Sequence, residues 1–180
     1  MPSPAHRPTL RHGLFLFAAM AMSLAGAAAP AQSSGAASAS GLPTPRFVSL
    51  KSSRVNVRVG PGQSYQISWI FTRPGLPVEV IQEFDTWRRV RDSDGSVGWV
   101  FHSLLSGKRT GVVTPWGQPE PSVIRRAPRA DARIAAYLEA GVLGEVSECR
   151  DNWCHFSGEG YAGWIPQDSL WGVYPGETVD

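Results

Sequence analysis

Two cysteines, Cys149 and Cys154, are the most reactive side chains in this 180-residue chain, and four residues separate them. Such a pair could form a disulfide, act as a redox couple or bind a metal ion. Redox catalysis is disfavoured because this spacing lacks the helix N-terminus that lowers a thiol pKa. A zinc site needs four ligands, and only His155 stands nearby. If the chain is exported, as its N-terminus indicates below, a structural disulfide is the expected state.

Nucleophilic catalysis requires a base beside its nucleophile. His102 and His155 are the histidines beyond the N-terminal segment, and they stand at positions that do not correspond between the two repeats described below. Cys154 and His155 are adjacent in an alternating segment, so their side chains should point to opposite faces. Residues 60–62, Gly-Pro-Gly, are not a phosphate loop, since neither a lysine nor a helix follows them. We therefore predict a protein that is not an enzyme, with no cofactor and no metal site.

The elements that must position these residues occur twice in the sequence. In each copy a tryptophan opens an alternating segment and a Gly-Trp-aliphatic triplet closes the unit, with an offset of 65 to 66 residues between the copies. The matching pairs are Gly75 and Gly141, Val80 and Val146, Trp87 and Trp153, Val90 and Phe156, Gly98-Trp99 and Gly163-Trp164, and Leu105 and Leu170. So many matches in one register indicate an internal repeat. For the four recurring tryptophans, a place in the core is favoured over ligand stacking.

Short alternating segments separated by turn residues make up each copy. Val55, Val57 and Val59 alternate with Asn56 and Arg58, as in a half-buried strand, and the glycines and proline at 60–62 end it. No stretch shows ten or more residues of helical period. The sequence therefore predicts an all-β protein with two tandem small barrels, each of five or six strands.

The cysteines have informative counterparts in the first copy. Cys149 corresponds to Glu83, and Cys154 corresponds to Arg88. A position pair occupied by two cysteines in one repeat and by an acid and a base in the other suits cross-strand neighbours. This correspondence supports a disulfide between Cys149 and Cys154.

The N-terminus has the three parts of a secretory signal peptide. Basic residues precede an apolar run at 13–25, and small residues at 29–31 provide a cleavage site after Ala31. The run is about half of the roughly 20 residues that span a bilayer, so we expect no stable membrane anchor. We predict a periplasmic or secreted protein with a signal peptide at 1–31 and a disordered leader at 32–45. A first barrel at 46–111, a stiff proline-rich connector at 112–121 and a second barrel at 122–176 follow.

Charge is balanced overall but unevenly distributed. Without the predicted signal peptide the chain keeps 15 basic and 15 acidic residues, which argues against nucleic-acid binding. Residues 46–111 carry 10 Lys or Arg and 5 Asp or Glu, whereas residues 112–180 carry 5 and 10. The halves could attract each other, one could face an anionic partner, or both could be ordinary solvated surfaces.

The segment Asn56-Val57-Arg58-Val59-Gly60-Pro61-Gly62, followed by Trp-x-x-Val and Gly-Trp-Val, resembles the bacterial SH3-like domain. The pair is similar to the tandem form found in small exported proteins of Gram-negative bacteria, over about residues 46–175. The second copy departs from the pattern, because Arg125-Arg126-Ala127-Pro128 stands where Arg-x-Gly-Pro is expected. The resemblance implies binding of cell-wall peptides or protein segments rather than catalysis.

The candidate ligand-binding residues lie in the first copy, around a groove between the loop after Val59 and the hairpin near Asp85. They are Tyr65, Trp69, Trp87, Arg58, Arg88 and Arg89. Trp69 matches Ala135, so it is an extra aromatic that could stack on a ligand or pack between the modules.

Two functions compete: a monomeric binder of peptidoglycan or envelope peptides, and a periplasmic adaptor whose acidic second module docks a protein partner.

Overall fold

The computed structural model describes residues 38–114 and 120–180. The predicted signal peptide, residues 32–37 of the predicted leader and residues 115–119 of the predicted connector, Trp116 among them, lie outside the described residues. Within the two described ranges, no helix combines the length and the apolar character that crossing a membrane requires.

Antiparallel strands dominate the described chain, and they form two sheets. The first sheet contains β1 (Arg46–Leu50), β2 (Val55–Arg58), β3 (Ile67–Phe71), β4 (Pro77–Phe84), β5 (Trp87–Arg91), β6 (Val97–Phe101) and β7 (Leu105–Ser106). The second contains β8 (Thr110–Val113), β9 (Ser122–Arg125), β10 (Ile134–Leu138), β11 (Leu143–Arg150), β12 (Trp153–Gly158), β13 (Tyr161–Pro166) and β14 (Leu170–Trp171). Single turns of 3₁₀ helix at His102–Leu104 and Gln167–Ser169 precede the last strand of each sheet.

The two sheets repeat one topology. Their strand orders are β3-β2-β6-β5-β4-β1-β7 and β10-β9-β13-β12-β11-β8-β14, so each element has its counterpart seven strands later. This confirms the predicted all-β fold with two tandem small barrels. Each sheet has seven strands rather than five or six, because the two-residue strands β7 and β14 are too short to leave an alternating pattern in the sequence.

The domain boundaries differ from the predicted ones. Thr110–Val113 pairs with β11 and β14, so the second barrel begins at Thr110 and not at residue 122. Its end also extends past residue 176, since Val179 bridges to Cys149. The predicted boundary failed because Thr110–Val113 comes directly after the first barrel in sequence and resembles a continuation of it. Only pairing across the second sheet assigns it to the second barrel.

Each barrel has its own buried core. The first is built from valines that alternate along β2 and β4, including Val55, Val57, Val78 and Val80, all fully buried. The second centres on Ile124, Phe156 and Ile165 with the two cysteines. These core valines are among the alternating positions recognised in the sequence. Val59, which was grouped with Val55 and Val57, instead lies beyond the end of β2 and is 61% exposed.

The described part of the predicted leader lies on the first barrel. The backbone N–H and the hydroxyl of Ser40 donate to the Glu83 carboxylate at 2.7 and 2.8 Å. Arg46 Nη1 donates to the Pro43 carbonyl at 3.0 Å. Residues 38–45 thus have defined contacts, which corrects the expectation of disorder for this part. Composition could not reveal this, because the acceptor is a carboxylate more than 40 residues away in sequence.

The C-terminal residues of the second barrel pack against the first. The Phe47 ring lies 5.0 Å from the Trp171 ring and 4.7 Å from the Tyr174 ring, measured between centroids. Trp171 Nε1 donates to the Pro77 carbonyl, and the Tyr174 hydroxyl donates to Glu79 Oε1 at 2.9 Å. Trp171 therefore contributes to the contact between the barrels.

We predict that Tyr174→Phe lowers the free energy of unfolding by about 1 kcal/mol, since one hydrogen bond to a carboxylate is lost while the ring stays in place. Chemical denaturation of the purified chain measures this. Tyr65→Phe is the control, because the Tyr65 side chain is exposed. Equal effects of the two substitutions would show that the Tyr174 contact with Glu79 does not stabilise the folded chain.

The predicted disulfide is confirmed. Cys149 and Cys154 are register partners on β11 and β12, with Cα atoms 4.1 Å apart, and both side chains are fully buried. The counterpart pair in the first barrel, Glu83 and Arg88, has the same register on β4 and β5 and forms an ion pair at 3.0 Å. The same cross-strand pair is therefore linked by a disulfide in the second barrel and by an ion pair in the first.

Replacing both cysteines with alanine should lower the stability of the second barrel by about 2 kcal/mol, the loop-closure entropy expected for so short a loop. Thermal unfolding of the oxidised protein, the reduced protein and the double variant measures the loss. Reduced wild type and the variant should unfold at similar temperatures. A transition unchanged by reduction would contradict the prediction.

Candidate functional site

The structure distributes the six predicted ligand-binding residues over three places. Arg58, Tyr65 and Trp69 lie on the β2–β3 hairpin, Trp87 and Arg89 lie on one face of β5, and Arg88 points to the opposite face of that strand. The predicted groove between the loop after Val59 and the Asp85 hairpin does not bring all six together. Their alternation along β5 separates Arg88 from its two neighbours.

Arg58 holds the loop that follows β2. Its Nη1 donates to the Tyr65 carbonyl at 2.6 Å, and the Tyr65 ring lies over Gly60, where a side chain would collide with it. The second barrel repeats this contact, since Arg125 Nη1 donates to the Ala132 carbonyl at 2.8 Å. A repeated backbone contact indicates that Arg58 positions the loop, while the Tyr65 ring remains exposed at its tip.

Trp69 is half-buried and packs on the first core. Its ring lies 6.0 Å from Phe71 and close to Gly98, as Ala135 lies close to Gly163 in the second barrel. Trp69 therefore packs within the first barrel, and its role in stacking on a ligand stays a prediction. Trp69 contacts the core because it is the register partner of the fully buried Val57 on β2.

Arg88 and Trp87 are both buried, with 7% of each residue exposed. Arg88 forms the ion pair with Glu83, and its Nη1 donates to the carbonyls of Asp85 and Trp87. Trp87 packs edge-on against Phe101, with ring centroids 5.5 Å apart. Both side chains therefore stabilise the first barrel. Arg89 is exposed and is the register partner of Trp99.

A concave site that the sequence did not predict lies beside the first barrel. This groove has a volume of about 730 Å³ and is formed by residues 40–48, 102–109 and 174–177, with Arg88 at its wall. Apolar side chains line most of it: Leu42, Pro43, Pro45, Phe47, Leu105 and Tyr174. No local signal could have found it, because three distant segments meet there.

The groove has an excess of positive charge. Arg46 and Arg88 share one carboxylate, Glu83, at 2.5 and 3.0 Å, and Arg109 pairs with Glu177 at 2.7 Å. Three guanidinium groups against two carboxylates leave a net charge of one positive unit. His102 stands at the rim and is exposed. The site therefore suits a ligand with an apolar part and an anionic group.

The two carboxylates at the groove remain ionised at neutral pH. Burial by itself raises the pKa of Glu83, but hydrogen bonds from Arg46 and Ser40 outweigh it, so the pKa is lowered from 4.5. Glu177 behaves alike, because hydrogen bonds from Arg109 and from the Tyr174 N–H outweigh burial and lower its pKa. Both carboxylates therefore keep their ion pairs with the arginines at neutral pH.

The described residues give no metal site, since nowhere in 38–114 or 120–180 do three His, Cys, Asp or Glu side chains converge.

Two barrels of identical strand order, each with its own core, define a tandem pair of SH3-like β-barrel domains. The bacterial SH3 domain family matches residues 51–107 and again residues 118–172, and the chain belongs to that family. These two matches correspond to the two repeats recognised in the sequence. No curated protein matches the chain.

Among solved structures, the chain is similar to NlpC2 from Trichomonas vaginalis, with a TM-score of 0.33, 15% identity, and coverage of 74% of this chain and 50% of that one. It is similar to NlpC1 from Trichomonas vaginalis at the same TM-score and identity, covering 72% and 46%. The chain thus spans about half the length of these two proteins.

Proposed function

We propose that this protein is an exported, non-catalytic binding module of the bacterial cell envelope that recognises peptides of the cell wall. Membership in the bacterial SH3 domain family supports a binding role. The predicted signal peptide supports a periplasmic location. The scarcity of nucleophile and base pairs in the sequence supports the absence of catalysis.

The groove beside the first barrel is the observation that carries this proposal. Its volume of about 730 Å³ lies within the range of small-ligand sites, about 300–1,000 Å³. The proline and phenylalanine side chains that line it offer apolar contact area. The net positive charge beside them favours a ligand that carries a carboxylate over a neutral or cationic ligand.

Peptidoglycan stem peptides combine these two chemical properties, since they carry small aliphatic side chains and free carboxylates. A few linked residues match the size of the groove. Binding should weaken as salt rises, because the side chains of Arg46 and Arg109 keep 18% and 23% of their surface exposed to solvent. This groove differs from the site predicted from the sequence. Of the six predicted binding residues, only Arg88 lines it.

A pull-down with purified sacculi at low salt tests the proposal. Gly107→Trp places a large side chain at the groove, and a Cβ at Gly107 meets no atom within 4 Å, so the backbone has room for a side chain to begin there; circular dichroism verifies that the variant folds. Ala130→Trp is the matched control on an exposed loop of the second barrel. We expect the wild type and Ala130→Trp to be retained and Gly107→Trp to be retained about tenfold less.

Two outcomes would contradict the proposal. One is that the wild type is not retained by sacculi at low salt. The other is that Gly107→Trp and Ala130→Trp are retained equally, which would locate cell-wall binding elsewhere on the chain.

A further inference from the structure

A second surface of the first barrel, remote in sequence from the groove segments, has an unpaired strand edge. β3 is the last strand at one side of its sheet. Within residues 38–114 and 120–180, the backbone of Ile67–Phe71 makes hydrogen bonds to β2 and to no other segment. Alternate N–H and C=O groups of β3 therefore point outward without a strand to receive them.

This edge lacks most of the features that normally prevent strand pairing. The exception is a β-bulge at Ser68, between Ile67 and Trp69, which leaves Trp69–Phe71 in regular register. Proteins protect exposed edges with charged residues, prolines or very short strands. β3 has five residues, Ile-Ser-Trp-Ile-Phe, with no charge and no proline. Ile67 is 38% exposed, and Tyr65 just before it is 47% exposed. An extended segment that pairs with β3 would find apolar contacts beside the backbone hydrogen bonds.

The charge around β3 indicates what kind of segment fits. Residues 51–78 contain Lys51, Arg54, Arg58 and Arg73 and no Asp or Glu. Arg54 directly precedes Val55, the register partner of Phe71, and Arg73 follows two residues after Phe71, so these cations lie at one end of the strand. Arg58 is the partner of Ile67 at the other end. Both ends of the edge therefore carry positive charge.

These cations are not neutralised by carboxylates among the described residues. Arg58 donates to the Tyr65 carbonyl, and Arg73 donates to the Gly141 carbonyl. Within the described ranges, none of the four cations forms an ion pair. The second barrel differs: its edge strand β10 is also uncharged, but residues 120–144 carry four arginines and three carboxylates. The net charge is therefore +4 over residues 51–78 and +1 over residues 120–144, so the excess of positive charge is larger beside β3.

From these observations we infer that β3 is the docking site for an extended acidic segment of a partner protein, which adds to the first sheet as an eighth strand. Backbone pairing supplies affinity in this mode, and the flanking charges select the partner. A second copy of this chain is a poor occupant of the same edge, because pairing β3 with β3 would bring two sets of four cations together. The inference is independent of the proposed groove function, since it involves different residues and a different ligand.

A peptide of about seven alternating Glu and Val residues with blocked termini is the probe, its length matched to β3 and its flanks. Titration calorimetry should show binding that weakens as salt rises. The same peptide with N-methyl groups on alternate residues should bind about tenfold more weakly, because it cannot complete the ladder. Hydrogen exchange on the complex should show slowed amides within Ile67–Phe71.

Charge variants test the electrostatic part. Lys51→Glu with Arg54→Glu should weaken binding about tenfold or more. The control, Arg126→Glu with Arg133→Glu, makes the same charge change on exposed residues of the second barrel's corresponding hairpin. It should weaken binding by less than about threefold. Both variants change exposed side chains, and circular dichroism verifies that they fold.

Three results would overturn the inference: no binding of the acidic peptide at low salt, equal binding of the methylated peptide without protection of β3 amides, or dimerisation of the chain through β3 in place of peptide binding. Each leaves the sacculus result unaffected. Retention on sacculi that survives Lys51→Glu with Arg54→Glu but is lost in Gly107→Trp would keep the two sites separate.

Discussion

Replacing Glu83 with glutamine should lower the free energy of unfolding of the first barrel by about 3–5 kcal/mol. The Glu83 side chain is completely buried and is shared between Arg46 and Arg88, whose side chains are 18% and 9% exposed. Removing its charge leaves two guanidinium groups in a largely dry environment with no counter-ion. Urea denaturation at neutral pH measures the loss.

The same ion pairs make the stability of the first barrel depend on pH. The pKa of Glu83 is lowered on folding from 4.5, so its contribution is fully present above that value. It is lost as pH falls through the lower pKa of the folded state. The stability difference between wild type and Glu83→Gln should therefore shrink in acid. Asp94→Asn, on an exposed turn, is the control and should have little effect at either pH.

The second barrel shows how the lost ion pair can be replaced. Glu83 and Arg88 have the register of Cys149 and Cys154. The double variant Glu83→Cys with Arg88→Cys should therefore form a disulfide and be about 2 kcal/mol more stable oxidised than reduced. Failure of this disulfide to form, or a loss under about 1 kcal/mol in Glu83→Gln, would contradict the role assigned to the pair.

Substituting Gly98 with alanine should destabilise the first barrel by about 2–3 kcal/mol. A Cβ at this position would collide with Val57 Cγ1 and would lie 3.0 Å from Trp69 Cη2 and 3.2 Å from the Arg58 carbonyl oxygen. Val57 is fully buried and the carbonyl belongs to the backbone of β2, so neither can move without opening the pairing of β2 with β6.

Thermal unfolding of Gly98→Ala measures this cost. Gly107→Ala is the matched control, because a Cβ there meets nothing within 4 Å. It should change stability by less than about 0.5 kcal/mol. Equal effects of the two substitutions would show that the Gly-Trp pattern is not a packing requirement. A large difference would explain why glycine precedes tryptophan in both repeats.

Local sequence patterns were enough to predict the two barrels. Alternation of valines, turn glycines and the offset between repeats predicted two all-β units, because inward and outward positions follow a period of two whatever the distant surroundings. The disulfide was also predictable, since its register partners are close in sequence and the other repeat carries a charge pair there.

The tertiary structure alone decided where the binding surfaces lie. Arg88 and Arg89 are neighbours in sequence, yet one is buried against Glu83 and the other is exposed. Thr110–Val113 joined the second sheet, and the groove arose where residues near 45, 105 and 175 meet. Such features depend on which distant segments come together, and neither spacing nor composition of a single segment contains that information.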